Sequence, residues 1–151
     1  MARKIGVTTM KEMTKDECKK FLLHGTRTGK LATVRKDGRP HVVPIWFDLD
    51  GEKIVFTTGS KSLKGENMRR DPSVCICVDD EKPPFAFVQI EGTAELSENL
   101  EEMLYWATKI GGRYTGAELA EVFGKRNAVK GELLVRVSPT KTIAWKDVAG
   151  W

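Results

Sequence analysis

Apolar residues fall in short runs along this chain, and glycines and Asp-Gly pairs punctuate them. Residues 14–24 have helical spacing, with Cys18, Phe21 and Leu22 on one face. Thr14 and Glu17 form a capping box there, and Gly25 ends the run. Strand-like runs follow. Residues 30–34 (KLATV) lead into Asp37-Gly38, a strong hairpin signal. Residues 41–47 (HVVPIWF) are apolar on both faces, with Val42, Pro44 and Trp46 on one side and Val43, Ile45 and Phe47 on the other. Asp50-Gly51 then turns the chain into 53–58 (KIVFTT), so the three runs predict an antiparallel β-meander.

Further along, a helix is predicted over 60–70 and stopped by Asp71-Pro72. Residues 73–78 (SVCICV) predict a buried strand, "DDEKPP" a loop, and 85–96 a long strand bent or bulged at Gly92. Ser97 caps a predicted helix to about Ile110, which "GGRY" breaks. Thr115 and Glu118 box another, to about Gly124. The last strands are expected at 131–139 and 141–145. The sum is a mainly β (α+β) chain: six or seven antiparallel strands with inserted helices, forming a small closed or split barrel.

Composition narrows this further. A chain of 151 residues without repeat, low-complexity tract or linker suits a single domain over 1–151. With 40% hydrophobic and 30% charged residues, the balance is that of a globular protein in water. Met1-Ala2-Arg3-Lys4 is basic, but no apolar stretch follows it and no run is long enough to span a membrane. A cytoplasmic location away from membranes is therefore expected. Cys75 and Cys77, two apart in a strand, lack partners at zinc-ligand spacing. They read as small buried hydrophobes, and no metal site is expected. A net charge of +4 mildly favours an anionic ligand. The aromatic residues sit in all-apolar runs rather than between basic ones, which argues against nucleic acid.

Two stretches carry candidate chemistry. The first is 41–47. Antiparallel sheets commonly leave one face to water, and this strand offers neither. One face fills the barrel; the other meets a partner subunit, a flat apolar ligand, or both. Pro44 lacks an N–H and belongs at an edge or bulge, leaving a gap in the ladder beside Trp46. The second stretch is 57–72 (TTGSKSLKGENMRRDP). Lysines are unfavourable near a helix N-terminus, unless an anion sits there. Thr57, Thr58, Gly59, Lys61, Ser62 and Lys64 have the parts of a phosphate cradle, although on these residues alone a solvated, Lys-bearing surface helix is the plainer reading. Neither a Walker loop nor a G-x-G-x-x-G fingerprint is present.

In order, "GKLATVRKDGRPHVVPIWFDLDGEKIVFTTGSKSLKGENMRRDPSVCICVDD" resembles the flavin-binding core of the pyridoxamine 5′-phosphate oxidase-like split β-barrel family, the FMN-binding split-barrel type. It looks most like the branch that uses the deazaflavin coenzyme F420, and "RYTGAELAEVFGKRNAVKGELLVRVSPTKTIAW" is similar to that branch's C-terminal half. The resemblance implies a homodimer with cofactor sites at the subunit interface. It sets the ring against Val42, Val43, Pro44, Ile45, Trp46 and Phe47, and the phosphate at Thr57, Thr58, Ser62 and Lys64. Leu63 replaces an arginine of the oxidases, for which Lys61 compensates. Val42 and Phe47 stand where the oxidases carry basic residues, and Phe87 where they carry a glutamine. The oxidases' C-terminal arginine motif is missing. The resemblance thus implies a deazaflavin rather than FMN, its acidic tail lying along Arg35, Lys36, Arg39, Lys61 and Lys64. The implied activity is hydride transfer from reduced F420 to a conjugated small-molecule acceptor, an enone or quinone. The alternatives are an FMN-dependent oxidoreductase and a flavin- or deazaflavin-binding protein without turnover. No catalytic dyad is evident: His24 and His41 read as structural, and Tyr114 or solvent supplies the proton.

Overall fold

Two strands adjacent in sequence stand at opposite edges of one sheet, and this decides the shape of the molecule. The computed structural model describes residues 10–150, so the basic Met1-Ala2-Arg3-Lys4 start lies outside the described residues. In chain order the elements begin with β1 (Lys11–Glu12), α1 (Lys15–Leu23), β2 (Gly29–Val34), β3 (Pro40–Ile45), β4 (Asp48–Asp50) and β5 (Lys53–Gly59). They continue with α2 (Leu63–Arg70), β6 (Ser73–Asp80), β7 (Ala86–Ser97), α3 (Leu100–Thr115), a 3-10 turn (Ala117–Leu119), α4 (Ala120–Asn127) and β8 (Glu132–Lys146). The spatial order is β3-β2-β6-β7-β8-β5-β4, antiparallel throughout, with the short β1 pairing β8. The expected mainly β split barrel with inserted helices is present, with eight strands among the described residues rather than six or seven.

The meander expected over 30–58 does not form. Among the described residues β3 pairs only with β2, and β5 pairs with β4 and β8. The run 41–47 leaves the β2–β3 ladder after Ile45, where the chain changes sheet edge, with Phe47 completely buried and Trp46 outside. Alternation along the strands fills the barrel with Leu31, Ile45, Phe47, Ile54, Phe56, Ile76, Val88, Val135 and Val137. α3 covers the outer face of β5 and β8, packing Met103 and Trp106 on Val55 and Leu134. The strand at 73–78 alternates too: Val74, Ile76 and Val78 face inward, and Cys75 and Cys77 lie half-buried on the outer side rather than in the core.

Three further expectations are corrected. The two last strands are one, because β8 continues past Pro139, which sits opposite Gly92 at a bulge where Thr140 is the extra residue. α3 runs through "GGRY" instead of stopping before it, and its cap is Asn99, not Ser97. Its glycines serve contact rather than helix breaking. A Cβ on Gly111 would lie 2.5 Å from Phe123 Cβ, and one on Gly124 would lie 2.0 Å from Thr108 Oγ1, so α3 and α4 touch backbone to side chain. The box at Thr115 and Glu118 is absent. The Thr115 hydroxyl donates back to Gly111 O at 2.6 Å, and a 3-10 turn entered at Gly116 precedes α4. The capping box of α1 (Thr14 with Glu17) and the Ser62 cap of α2 form as the sequence predicts. Among the described residues no helix is long and apolar enough to cross a membrane.

Gly92 offers a test of the bulge. A Cβ there would meet Ser138 O and Val137 Cγ1, each at 2.6 Å, and neither group can yield cheaply. Gly92→Ala should lower the unfolding free energy by about 1–3 kcal/mol in urea denaturation, in the range of overpacked interiors. An unchanged midpoint would mean that the bulge tolerates a side chain.

Candidate functional site

The link between the two sheet edges is Trp46-Phe47, and the end of α3 holds it. Arg113 donates to Phe47 O at 2.7 Å, to Leu22 O at 2.7 Å and to Gly25 O at 3.2 Å, with its guanidinium 4.8 Å from the Phe47 ring centroid. The Tyr114 hydroxyl donates to Arg27 O at 2.8 Å and accepts from Phe47 N at 3.4 Å. Burial pushes its pKa up, and the bond from Phe47 pulls the other way. Tyr114 also stacks on Trp46, with ring centroids 5.2 Å apart and planes 4° from parallel, and Phe123 meets the indole edge-on at 5.5 Å. The outward indole is therefore braced on two sides.

Beside it opens a cleft of about 420 Å³. One end is apolar, formed by Pro44, Ile45 and Trp46 with Ala107, Ile110 and Phe123 of the two helices. The other end is polar, formed by Thr57, Thr58, Gly59, Lys64, Asn127 and Glu132. The size suits a small ligand or cofactor, and the division suits a flat apolar body with a polar extension.

Hydrogen bonding fixes the polar end. Ser62 Oγ donates to Gly59 O at 2.7 Å and accepts from Gly65 N at 3.1 Å, and Thr58 Oγ1 lies 3.0 Å from it. The Ser62 hydroxyl thus shapes the turn. The N–H groups of Leu63 and Lys64, in the first turn of α2, have no partner within the helix. The buried Asn67 ties α2 to the barrel, its amide donating to Thr33 Oγ1 at 3.0 Å and its carbonyl oxygen accepting from Arg70 at 3.0 Å. Glu132 faces Gly59 across the β5–β8 ladder. Burial raises its carboxyl above the usual range, and the charge of Lys64 offsets this in part.

The sequence profile described as pyridoxamine 5′-phosphate oxidase matches residues 14–146. The chain belongs to the pyridoxamine 5′-phosphate oxidase family. It is 28% identical over 125 residues to 5a,11a-dehydrotetracycline/5a,11a-dehydrooxytetracycline reductase of Streptomyces rimosus subsp. rimosus, covering 78% of this chain and 72% of that one. A conserved hypothetical protein from Mycobacterium tuberculosis superimposes with a TM-score of 0.79 at 30% identity, over 89% of this chain and 86% of the other. The structure of an F420 reductase superimposes with a TM-score of 0.64, also at 30% identity, over 82% and 94%. The expected family is thus the family found, and this split barrel is a member of an oxidoreductase family.

Of the twelve candidate residues, the cleft brings together Pro44, Ile45, Trp46, Thr57, Thr58, Gly59 and Lys64. Ser62 stands directly behind it as the α2 cap. Lys61 is exposed beside the turn and does not line it. Val42 is exposed on β3, Val43 is half-buried, and Arg35, Lys36 and Arg39 occupy the exposed β2–β3 turn. His24 caps α1 at its C-terminal end and His41 lies in β3, both off the cleft. Sequence reasoning missed Phe123, Asn127 and Glu132. The only available hint was the acid opening an otherwise apolar strand at 132–135. Among the described residues no cluster of His, Cys, Asp or Glu is arranged to hold a metal, and burial pushes all three thiols up, away from reactive thiolates.

Two measurements check this geometry. Tyr114→Phe keeps the stacking on Trp46 but strands Arg27 O, and should cost about 1–2 kcal/mol of stability. Tyr114→Leu should also alter the near-UV circular dichroism of the indole, and identical spectra would contradict the stacked pair. For Glu132 the sign follows from a folded pKa above the unfolded one: ionisation opposes folding at neutral pH, and the penalty disappears once both states are protonated. Glu132→Gln should therefore stabilise the chain at about pH 7.5 and leave it unchanged near about pH 3.5. Equal shifts at both would remove burial as the cause.

Proposed function

We propose that the cleft binds the deazaflavin coenzyme F420, and that the chain is an F420H2-dependent reductase of a conjugated small-molecule acceptor of the enone or quinone type. The observation that carries this reading is the meeting, in one cleft, of the Trp46 wall with the Thr57, Thr58 and Lys64 end. The parts come from different elements and have complementary chemistry. The likenesses to an F420 reductase and to a dehydrotetracycline reductase favour the same class.

The residues fit the group. Trp46, braced by Tyr114 and Phe123, offers a fixed apolar surface for a planar ring, and Pro44 adds a strand face without an N–H. Lys64, the Thr57 hydroxyl and the first-turn N–H groups of α2 would hold the phosphate. When bound and reduced, the deazaflavin supplies the hydride. The chain contributes binding, orientation and exclusion of water by Ala107, Ile110 and Phe123. The Tyr114 hydroxyl is engaged by Arg27 and Phe47, so solvent rather than this phenol delivers the proton.

A second copy of the chain completes the site in this reading. Among the described residues the outer edge of β3 pairs with no strand of its own chain, and the exposed side of the run from β3 into Trp46 carries Val42, Pro44 and Trp46, with Val42 63% exposed. An apolar unpaired edge is a surface that proteins ordinarily cover.

Titration with F420, followed by quenching of its fluorescence, tests the reading. Lys64→Glu should weaken uptake by about tenfold or more, since it replaces an attraction by a repulsion at the phosphate. Turnover of reduced F420 with a panel of enones and quinones should follow. Undiminished uptake by the variant would place the phosphate elsewhere.

A further inference from the structure

A carboxylate beside a phosphate site is costly, and Glu132 is one. It begins β8, opposite Gly59, with its Oε1 3.9 Å from where a Gly59 Cβ would stand. The adjoining turn is fixed, because Ser60 N donates to Gly131 O at 2.8 Å. Glu132 therefore lines the polar end of the cleft together with Lys64, and it also borders a second hollow lined by Ser60, Glu98 and Lys130. Among the described residues neither Lys64 nor Glu132 is in an ion pair within 4 Å, yet both line the cleft, close enough for the charge of Lys64 to act on the Glu132 carboxyl. Arg35, Lys36 and Arg39 are remote, and Lys61 does not line the cleft. Lys64 is thus the one cationic side chain among the cleft-lining residues, and an acid shares its position.

We propose that Glu132 is a specificity-determining residue, which makes this cradle accept a singly charged phosphodiester and disfavour a doubly charged phosphomonoester. The inference rests on the reading of the cleft as a flavin-type cofactor site, and it concerns which tail that site takes. FMN ends in a phosphomonoester that is close to a dianion at neutral pH. In F420 the phosphate is esterified on both sides and carries one charge. Repulsion from a fixed carboxylate scales with the charge on the phosphate beside it, so Glu132 penalises the first more than the second. Hydrogen-bond donors alone would favour the dianion, and one lysine balanced by one glutamate removes that preference.

The test measures dissociation constants of FMN, F420 and riboflavin for the wild type, Glu132→Gln and Glu132→Ser by fluorescence titration at neutral pH, with thermal melts to verify folding. Both substitutions should tighten FMN by about tenfold and F420 by about threefold, leaving phosphate-free riboflavin unchanged. An FMN-to-F420 ratio unaltered in both variants overturns the proposal while leaving the cofactor site intact. Equal tightening of riboflavin also overturns it, because the effect would then be steric. A wild-type chain that takes up none of the three overturns the reading of the cleft, and this inference with it.

Discussion

Two residues join the opposite edges of this sheet. From Ile45 to Asp48 the chain spans about 10 Å at full extension, so the edges of a seven-strand path must curl to within that distance. No hydrogen-bonded ladder joins β3 to β4; the covalent link does, together with Phe47 buried inside and Trp46 held outside. A seam without a ladder needs fastening. Arg113 and Tyr114 provide it by taking up the polar groups that the crossing leaves unpaired, Phe47 N and O, together with the carbonyls of Leu22 in the last turn of α1 and of Gly25 and Arg27 beyond it. Buried backbone groups without partners would be expensive, so this fastening is a condition of the fold.

The same fastening orients the cleft. Alternation along an extended chain sends Phe47 inward and Trp46 outward, and α3, needed to satisfy the crossing, brings Tyr114 under the indole. α4 can reach Trp46 with Phe123 only because Gly111 and Gly124 let the two helices approach closely. Each glycine carries a helix-propensity penalty of about 1 kcal/mol, and the packing offsets it. Barrel closure, helix contact and cleft wall are consequently one arrangement, and a change at any of the three will reach the others.

Features set by neighbours in sequence were legible before the structure. The Thr14–Glu17 box, the Asp37-Gly38 turn, the Ser62 cap and the Gly92 bulge each depend on a few adjacent residues. The break at Trp46 was not legible, because a strand changing partners needs no turn residue and the apolar alternation continues through it. "GGRY" was misleading for a related reason. Glycine disfavours a helix locally, and only the partner helix, more than ten residues on, shows why it is tolerated. Lys64 and Thr57 were found because they share one stretch. Glu132 was missed because 68 residues separate it from Lys64, and only the β5–β8 register brings the two together.

The polar groups around the cleft divide into those already engaged and those left over. Ser62, Tyr114, Arg113 and Asn67 are engaged in holding the turn, the crossing and α2. The thiols are pushed toward the neutral form. Among the described residues, what lines the cleft without a side-chain partner is one lysine and one glutamate, with the Thr57 hydroxyl and the Asn127 amide. A hydrolase or transferase needs an activated nucleophile or a base oriented by a third group, and this set has no such relay. A set that supplies charge balance and a rigid apolar wall is suited to holding a bound partner that brings its own reactive atom. That suitability is the physical support for the proposed coenzyme, and it stands apart from any likeness to other proteins.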